Sequence, residues 1–174
     1  MSSSTKSTGG ILRPTYIGLI ETEEDARLLL TACLSGVLPH APRYPGGDEL
    51  QNLVRSGHAF VYADPATGTG NWDDGKEWEY LRDEDGFRIE RQGYSRDGLY
   101  KRSMSIVEKG VPHQIVSYYR LADAVESYSE EGGVLKSLTR PSQDPKLKAS
   151  HFQSTHMKHI GLCEKTTILT QSCA

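Results

Sequence analysis

The sequence predicts a single α+β domain built on an antiparallel sheet with a few helices. Three observations carry that expectation: one strongly periodic helical segment near the N-terminus, a strand-like HAFVYA run at residues 58 to 63, and two longer strand-like runs joined by Lys109-Gly110. At 174 residues, with 36% hydrophobic and 25% charged residues, the chain is long enough to bury one core.

Residues 1–10, MSSSTKSTGG, carry too little apolar surface to offset the entropy of ordering and are expected to be a disordered lead. They are also too polar for a signal-peptide core, and no apolar run approaches the roughly 20 residues of a membrane-spanning helix, so an intracellular protein is expected. The apolar pattern begins at Thr15. Thr22 followed three residues later by Asp25 is a capping box, which predicts a helix start. Ala26, Leu29, Leu30, Cys33 and Val37 then recur at helical spacing, with Glu23, Glu24 and Asp25 in the first turn, Gly36 as the stop and Pro39 beyond it.

A second, shorter helix is expected over Asp48 to Arg55, with Leu50, Leu53 and Val54 facing inward and Gly57 in the left-handed terminating conformation. HAFVYA follows as a strand, and the turn formers at 64–70 reverse the chain before Trp72. After GFRIERQGYSRDG a second half begins. LYKRSMSIVE and VPHQIVSYY form a predicted hairpin, followed by a short helix near Leu121 to Val125, the pair Gly132-Gly133, and a loop carrying Arg140-Pro141-Ser142. Past Lys148 the pattern weakens into a loosely attached tail.

Sites of chemistry are sparse. There is no GxSxG elbow, Walker-type loop or dinucleotide fingerprint. Asp73, Asp74, Asp83, Glu84 and Asp85 read as solvated loop charge in preference to a catalytic pair. His156, His159 and Cys163 fall at i, i+3 and i+7, yet with no second nearby cysteine they read as chance clustering, and no metal is expected. His113 reads as a packed sheet residue and Cys33 as a small core residue; Cys163 and Cys173 are expected to be reduced as well. A net charge of -3 argues, taken alone, against nucleic-acid binding, and the acidity is concentrated in residues 11–97.

Longer matches point the other way. TYIGLIETEEDARLLLTACLSGVLP followed by LVRSGHAFVY resembles the opening of the WOPR domain of fungal transcriptional regulators (Gti/Pac type). Trp72-Asp73-Asp74-Gly75-Lys76-Glu77-Trp78-Glu79-Tyr80-Leu81-Arg82 is similar to that family's Trp-Thr-Asp-Gly-Arg-x-Trp-Ser-Pro-Ser-Arg segment. GLYKRSMSIVEKGVPHQIVSYYRLADAV resembles its second-half hairpin, and LTRPSQDP its closing Pro-Ser element. The resemblance covers about residues 14 to 145. It implies two intertwined halves, about 14–90 and 98–145, joined by a short linker near Glu90 to Asp97, within a domain spanning 11–148 ahead of a tail at 149–174.

The resemblance also implies a sequence-specific transcriptional regulator, not an enzyme, that acts in the nucleus on double-stranded, A/T-rich DNA without metal or cofactor, alongside protein co-regulators. Within the matched segment, Trp72, Gly75 and Trp78 are expected to support the loop that presents Lys76 and Arg82. Arg82 suits a narrow minor groove or a guanine edge, because its planar fork makes paired hydrogen bonds. Lys76, Lys101 and Arg102 suit phosphate contacts, and Arg13, Arg43 and Arg140, each beside a proline or in a loop near one, are further candidates.

The chain also departs from the pattern. Where relatives commonly carry Lys-Arg before the first tryptophan, it has Gly70-Asn71; the following Thr is Asp73; Ser-Pro-Ser has become Glu79-Tyr80-Leu81; and acids follow Arg82. Each lost phosphate contact weakens binding, so reduced DNA affinity is expected. The rival reading is a protein-interaction module on the same fold that has lost DNA binding. A hydrolase using the carboxylates is a distant third.

Overall fold

The computed structural model describes residues 11–63, 72–126 and 138–149. The expected lead at 1–10, the turn at 64–70, Gly132-Gly133, the His156, His159 and Cys163 cluster and nearly all of the expected tail lie outside these residues.

The chain runs through β1 (Tyr16–Ile17), α1 (Glu23–Leu34), a 3-10 turn (Gly47–Glu49), α2 (Leu50–Leu53), β2 (His58–Ala63), β3 (Glu79–Glu84), β4 (Phe87–Arg91), β5 (Tyr100–Glu108), β6 (Val111–Tyr119), α3 (Leu121–Glu126) and a second 3-10 turn (Pro141–Gln143). The six strands form one sheet in the order β1-β2-β6-β5-β4-β3, every neighbouring pair antiparallel. The β5–β6 hairpin of the second half is therefore inserted between β2 and β4 of the first, which is the intertwining the resemblance implied.

Local signals explain most element ends. At the start of α1 the Asp25 N–H donates to the Thr22 hydroxyl at 3.3 Å, and the Asp25 carboxylate accepts from the Thr22 N–H at 3.0 Å. Gly36, at φ +75°, turns the chain at the far end, so Val37 falls beyond the helix and is 49% exposed instead of joining the core. The second helix is shorter than expected because Val54 leaves helical backbone space at ψ 77°, although Leu53 and Val54 are buried. The β5–β6 turn uses Lys109 and Gly110 at φ 51° and 80°, the paired left-handed geometry that matches strand twist.

Residues 79–91 correct the sequence reading. What read as acidic loop entering a linker at Glu90 is the β3–β4 hairpin, turned at Asp85-Gly86, and the connection to β5 begins only at Gln92, whose N–H donates to the Leu99 carbonyl at 2.9 Å. All β3 residues except Leu81 are exposed. Apart from Leu81 this edge strand packs no side chain into either core, so it lacks the apolar alternation by which strands are recognised.

Side chains alternate between two cores. On the first sheet face, Ala26, Leu29, Leu30 and Cys33 of α1 pack on Ala59, Val61, Phe87, Ile89, Ile106 and Ile115, and Leu147 from a helical turn at 145–149 joins them. On the second, Phe60, Val116 and Tyr118 are covered by Leu12, Leu53, Val54 and Trp72. Each fully buried Leu, Ile or Phe here contributes about 1.5–3 kcal/mol relative to exposure. Cys33 is a core thiol whose pKa burial pushes up to about 12, and His113 is buried in β6 beside His40, ring centroids 5.6 Å apart.

Candidate functional site

The Trp72–Trp78 loop lies on the second sheet face, and a carboxylate fixes it from beneath. Asp74 is 2% exposed. Its Oδ1 accepts from the Trp78 indole N–H at 2.9 Å and from the Lys76 backbone N–H at 3.2 Å, while Oδ2 accepts from the Tyr118 hydroxyl at 2.6 Å. That hydroxyl in turn accepts from the Trp72 indole N–H at 2.9 Å. Burial first, and the Asp74 charge second, drive the Tyr118 pKa far above its usual range, so the hydroxyl stays protonated and donates to Asp74. Trp72 stacks on Phe60 at 5.2 Å and Trp78 on Tyr118 at 5.8 Å. Gly75 sits at φ +65°, where a Cβ would also lie 3.0 Å from a Leu50 methyl.

Buried charge around Asp74 is compensated. Lys101 Nζ lies 3.9 Å from Asp74, 3.1 Å from Glu90 and 4.6 Å above the Trp78 ring, and Arg88 pairs with Glu90 at 3.0 Å. Two cations thus face two anions. Arg88, Glu90, Lys101, Ser103 and Gln114 also line a polar groove beside the loop.

This arrangement revises several expectations. Asp74 is not solvated loop charge but a buried acceptor that Trp78 reaches directly and Trp72 through the Tyr118 hydroxyl. Lys101 is 8% exposed and held beneath the loop by Glu90 and Asp74, so its charge is already engaged inside the domain. Its neighbour Arg102 points to the opposite sheet face because strand side chains alternate. There its guanidinium donates to the Glu21 carbonyl at 2.8 Å and lies 5.1 Å over the Tyr119 ring.

Arg140 also serves the first face. It pairs with Glu21 at 3.0 Å and with Asp25 at 3.1 Å, clasping the closing turn to the start of α1. Asp25 is fully buried; burial alone would raise its pKa, but hydrogen bonds from Ser142 and from the Glu21 and Thr22 N–H groups outweigh that and hold it below the usual value.

Arg43 makes a two-pronged pair with Glu49, at 2.7 and 2.8 Å, which holds the Glu49 carboxyl at about 2. Glu49 also accepts from the Leu12 N–H, so Arg13 and Arg43 come together at one corner, and Leu50, against Gly75, links that corner to the Lys76 loop. Arg13 is exposed and Lys76 half-exposed. Arg82 stands apart on β3: the register places it opposite Ile89, on the first face, where it is exposed and paired with Glu84 at 2.6 Å.

Sequence reasoning missed Asp74, Glu90, Tyr118 and Arg88. One signal was present, since two tryptophans whose indole N–H groups need buried acceptors flank a lone Asp-Gly turn.

Comparisons with known proteins bear on the family and the fold. Residues 15–92 match the model of the Gti1/Pac2 family. The chain is 33% identical over 170 residues to the global transcription regulator sge1 of Gibberella moniliformis, covering 91% of this chain and 50% of that protein. It is 30% identical over 168 residues to the cAMP-independent regulatory protein pac2 of Schizosaccharomyces pombe, covering 91% and 65%. The chain thus spans between half and two-thirds of the length of these relatives. Among solved structures, the WOPR domain of Wor1 of Candida albicans in complex with a 17 bp double-stranded DNA superposes with a TM-score of 0.64 at 25% identity, over 82% of this chain and 98% of that one. A second structure, described as a fungal protein, gives 0.65 at 24% identity over 83% and 87%. With the inserted hairpin, the two-tryptophan loop and these matches together, the chain belongs to the Gti1/Pac2 family of WOPR-type fungal regulators.

Proposed function

We propose that this chain is a duplex-DNA-binding transcriptional regulator acting in the nucleus, with residues 11–148 as the binding unit. The observation that carries the proposal is the Trp72–Trp78 loop, a surface element locked from below by the buried Asp74. A loop held this way loses little entropy on binding, so its exposed groups meet a ligand pre-positioned. The DNA complex of the structurally similar Wor1 domain supplies the ligand class.

The seven cations expected at the interface divide by placement. Arg13 and Lys76, near the loop, and Arg82, on the edge strand β3, face solvent and are assigned DNA contact; Arg43 and Lys101 are engaged in ion pairs and are assigned the support of the loop side, whereas Arg102 and Arg140 brace the opposite face of the sheet. Three contacts make a small electrostatic footprint, which agrees with reduced affinity, and an arginine among them favours A/T-rich sites with a narrow minor groove. No step requires a metal, a cofactor or catalysis, and co-regulators are left for parts of the surface away from the loop.

A gel-shift titration on A/T-rich duplexes at low salt tests this. The wild-type chain should form a complex that Arg13→Ala, Lys76→Ala and Arg82→Ala each weaken; no wild-type complex, or one indifferent to all three, sinks the proposal. The rival reading, a protein-interaction module, draws on the exposed Glu79, Asp83 and Glu84 along the β3 edge. Partners captured equally with and without nuclease would favour it.

A further inference from the structure

We infer that Glu84 sets the DNA affinity of this chain by holding Arg82, an inference that rests on the DNA-binding reading and names a residue that tunes it. Three acids follow Arg82 in sequence, and only one of them reaches it. In β3 the register pairs Arg82 with Ile89 and Glu84 with Phe87, so Arg82 and Glu84 project from the same sheet face, two residues apart on one strand. Glu84 Oε2 accepts from Arg82 Nε at 2.7 Å and lies 2.6 Å from the second guanidinium nitrogen.

Asp83 projects the other way. It stands opposite Arg88, and both line a second groove, with Ser103, Ser105 and Gln114, next to the one beside the loop. Asp85 occupies the hairpin turn at φ 51°. The register also shifts between Tyr80 and Arg82, an irregularity that puts Tyr80 on one face and Arg82 on the other while Leu81 packs against the first core.

A phosphate approaching Arg82 must therefore compete with a carboxylate already in place. Both partners are exposed, at 55% and 43%, so the pair is weak and readily exchanged, and it acts as a tunable competitor, not a block. Charge alone does not distinguish Glu84 from Asp83; the strand register does.

The test measures binding of Glu84→Gln, Asp83→Asn, Arg82→Ala and the Arg82→Ala/Glu84→Gln double variant to one fluorescein-labelled A/T-rich duplex over a salt series. Glu84→Gln should tighten binding roughly two- to fivefold, the range that releasing an exposed ion pair allows. Asp83→Asn should gain distinctly less, and the gain from Glu84→Gln should vanish in the Arg82→Ala background. Equal gains for Glu84→Gln and Asp83→Asn, or a gain that survives Arg82→Ala, would mean diffuse repulsion and would overturn the inference while leaving DNA binding intact. No complex with any variant, wild type included, overturns the DNA-binding reading and this inference with it.

Discussion

Two buried aspartates organise the two faces of the sheet, and they do so by different means. Asp25 sits at the start of α1, and four of its contacts, from Glu21 N–H, Thr22 N–H, the Thr22 hydroxyl and its own N–H to Thr22, lie within four residues of it. Arg140 and Ser142 then fasten the closing turn to that nucleus. Asp74 takes two contacts from its own loop, but its strongest partner is the Tyr118 hydroxyl, 44 residues away, and its counter-charge is Lys101 on β5. A local anchor can form with its helix. A tertiary anchor forms only after the second-half hairpin has entered the sheet, so the loop it holds depends on the whole domain.

The largest expected effect separates the two anchors. Asp74→Ala leaves Lys101 with Glu90 as its remaining carboxylate neighbour and takes the acceptor from the Trp78 indole N–H and the Tyr118 hydroxyl, and should lower the stability measured by urea unfolding by about 3–5 kcal/mol, with DNA binding lost. Asp25→Ala should cost stability on a similar scale, more than the roughly 0.5–2 kcal/mol of a simple cap, because it also removes the buried one of the two carboxylates, Asp25 and Glu21, that Arg140 pairs with. Its folded fraction should still bind DNA; equal loss of binding in both variants would erase the distinction.

Tyr118→Phe is gentler. It removes one hydroxyl that both accepts from Trp72 and donates to Asp74, so about 1–3 kcal/mol of stability should go, again read from the urea midpoint. No change would mean that the Trp72 and Asp74 contacts do not depend on each other.

Acid titration distinguishes the anchors further. Because the Asp25 pKa is lowered in the folded protein, its contribution is present above the usual carboxylate value near 3.8 and is lost as pH falls through the lowered one. The buried His113 and the half-buried His40 and His58, all lowered first by desolvation, add an earlier loss: the unfolded chain takes up their protons from about 6.5 downward, so stability declines as pH falls below that value. Urea midpoints taken from pH 7 to pH 3 should show both declines, and Asp25→Asn should flatten only the more acidic one.

The smallest effect is Lys76→Ala, which should leave stability unchanged, weaken DNA binding modestly and reduce the slope of log affinity against log salt by about 0.9, the value for one phosphate. An unchanged slope would remove Lys76 from the interface.

How much of this could be read beforehand follows the same division. Helix α1, strand β2 and the β5–β6 hairpin were legible because capping spacing, apolar periodicity and paired turn residues act over a few neighbours. The β3–β4 hairpin was not, since its outer strand is exposed on nearly every residue and carries no alternating pattern. The candidate cations were identified by type and position, yet Lys101 and Arg102 could not be divided between faces until the strand register was known.

The sequence by itself determined the family resemblance, the main elements, Cys33 and His113 as packed residues, and the Trp72 to Arg82 stretch as the centre of interest. Only the tertiary structure decided which charges are free. Whether Asp74 is solvated or buried, whether Lys101 supports the loop or meets solvent, and whether Glu84 or Asp83 holds Arg82 all depend on partners that chain distance or strand register brings together. Spacing along the chain encodes contacts made within a few residues, whereas burial and ion pairing are set by whichever segments the sheet places side by side.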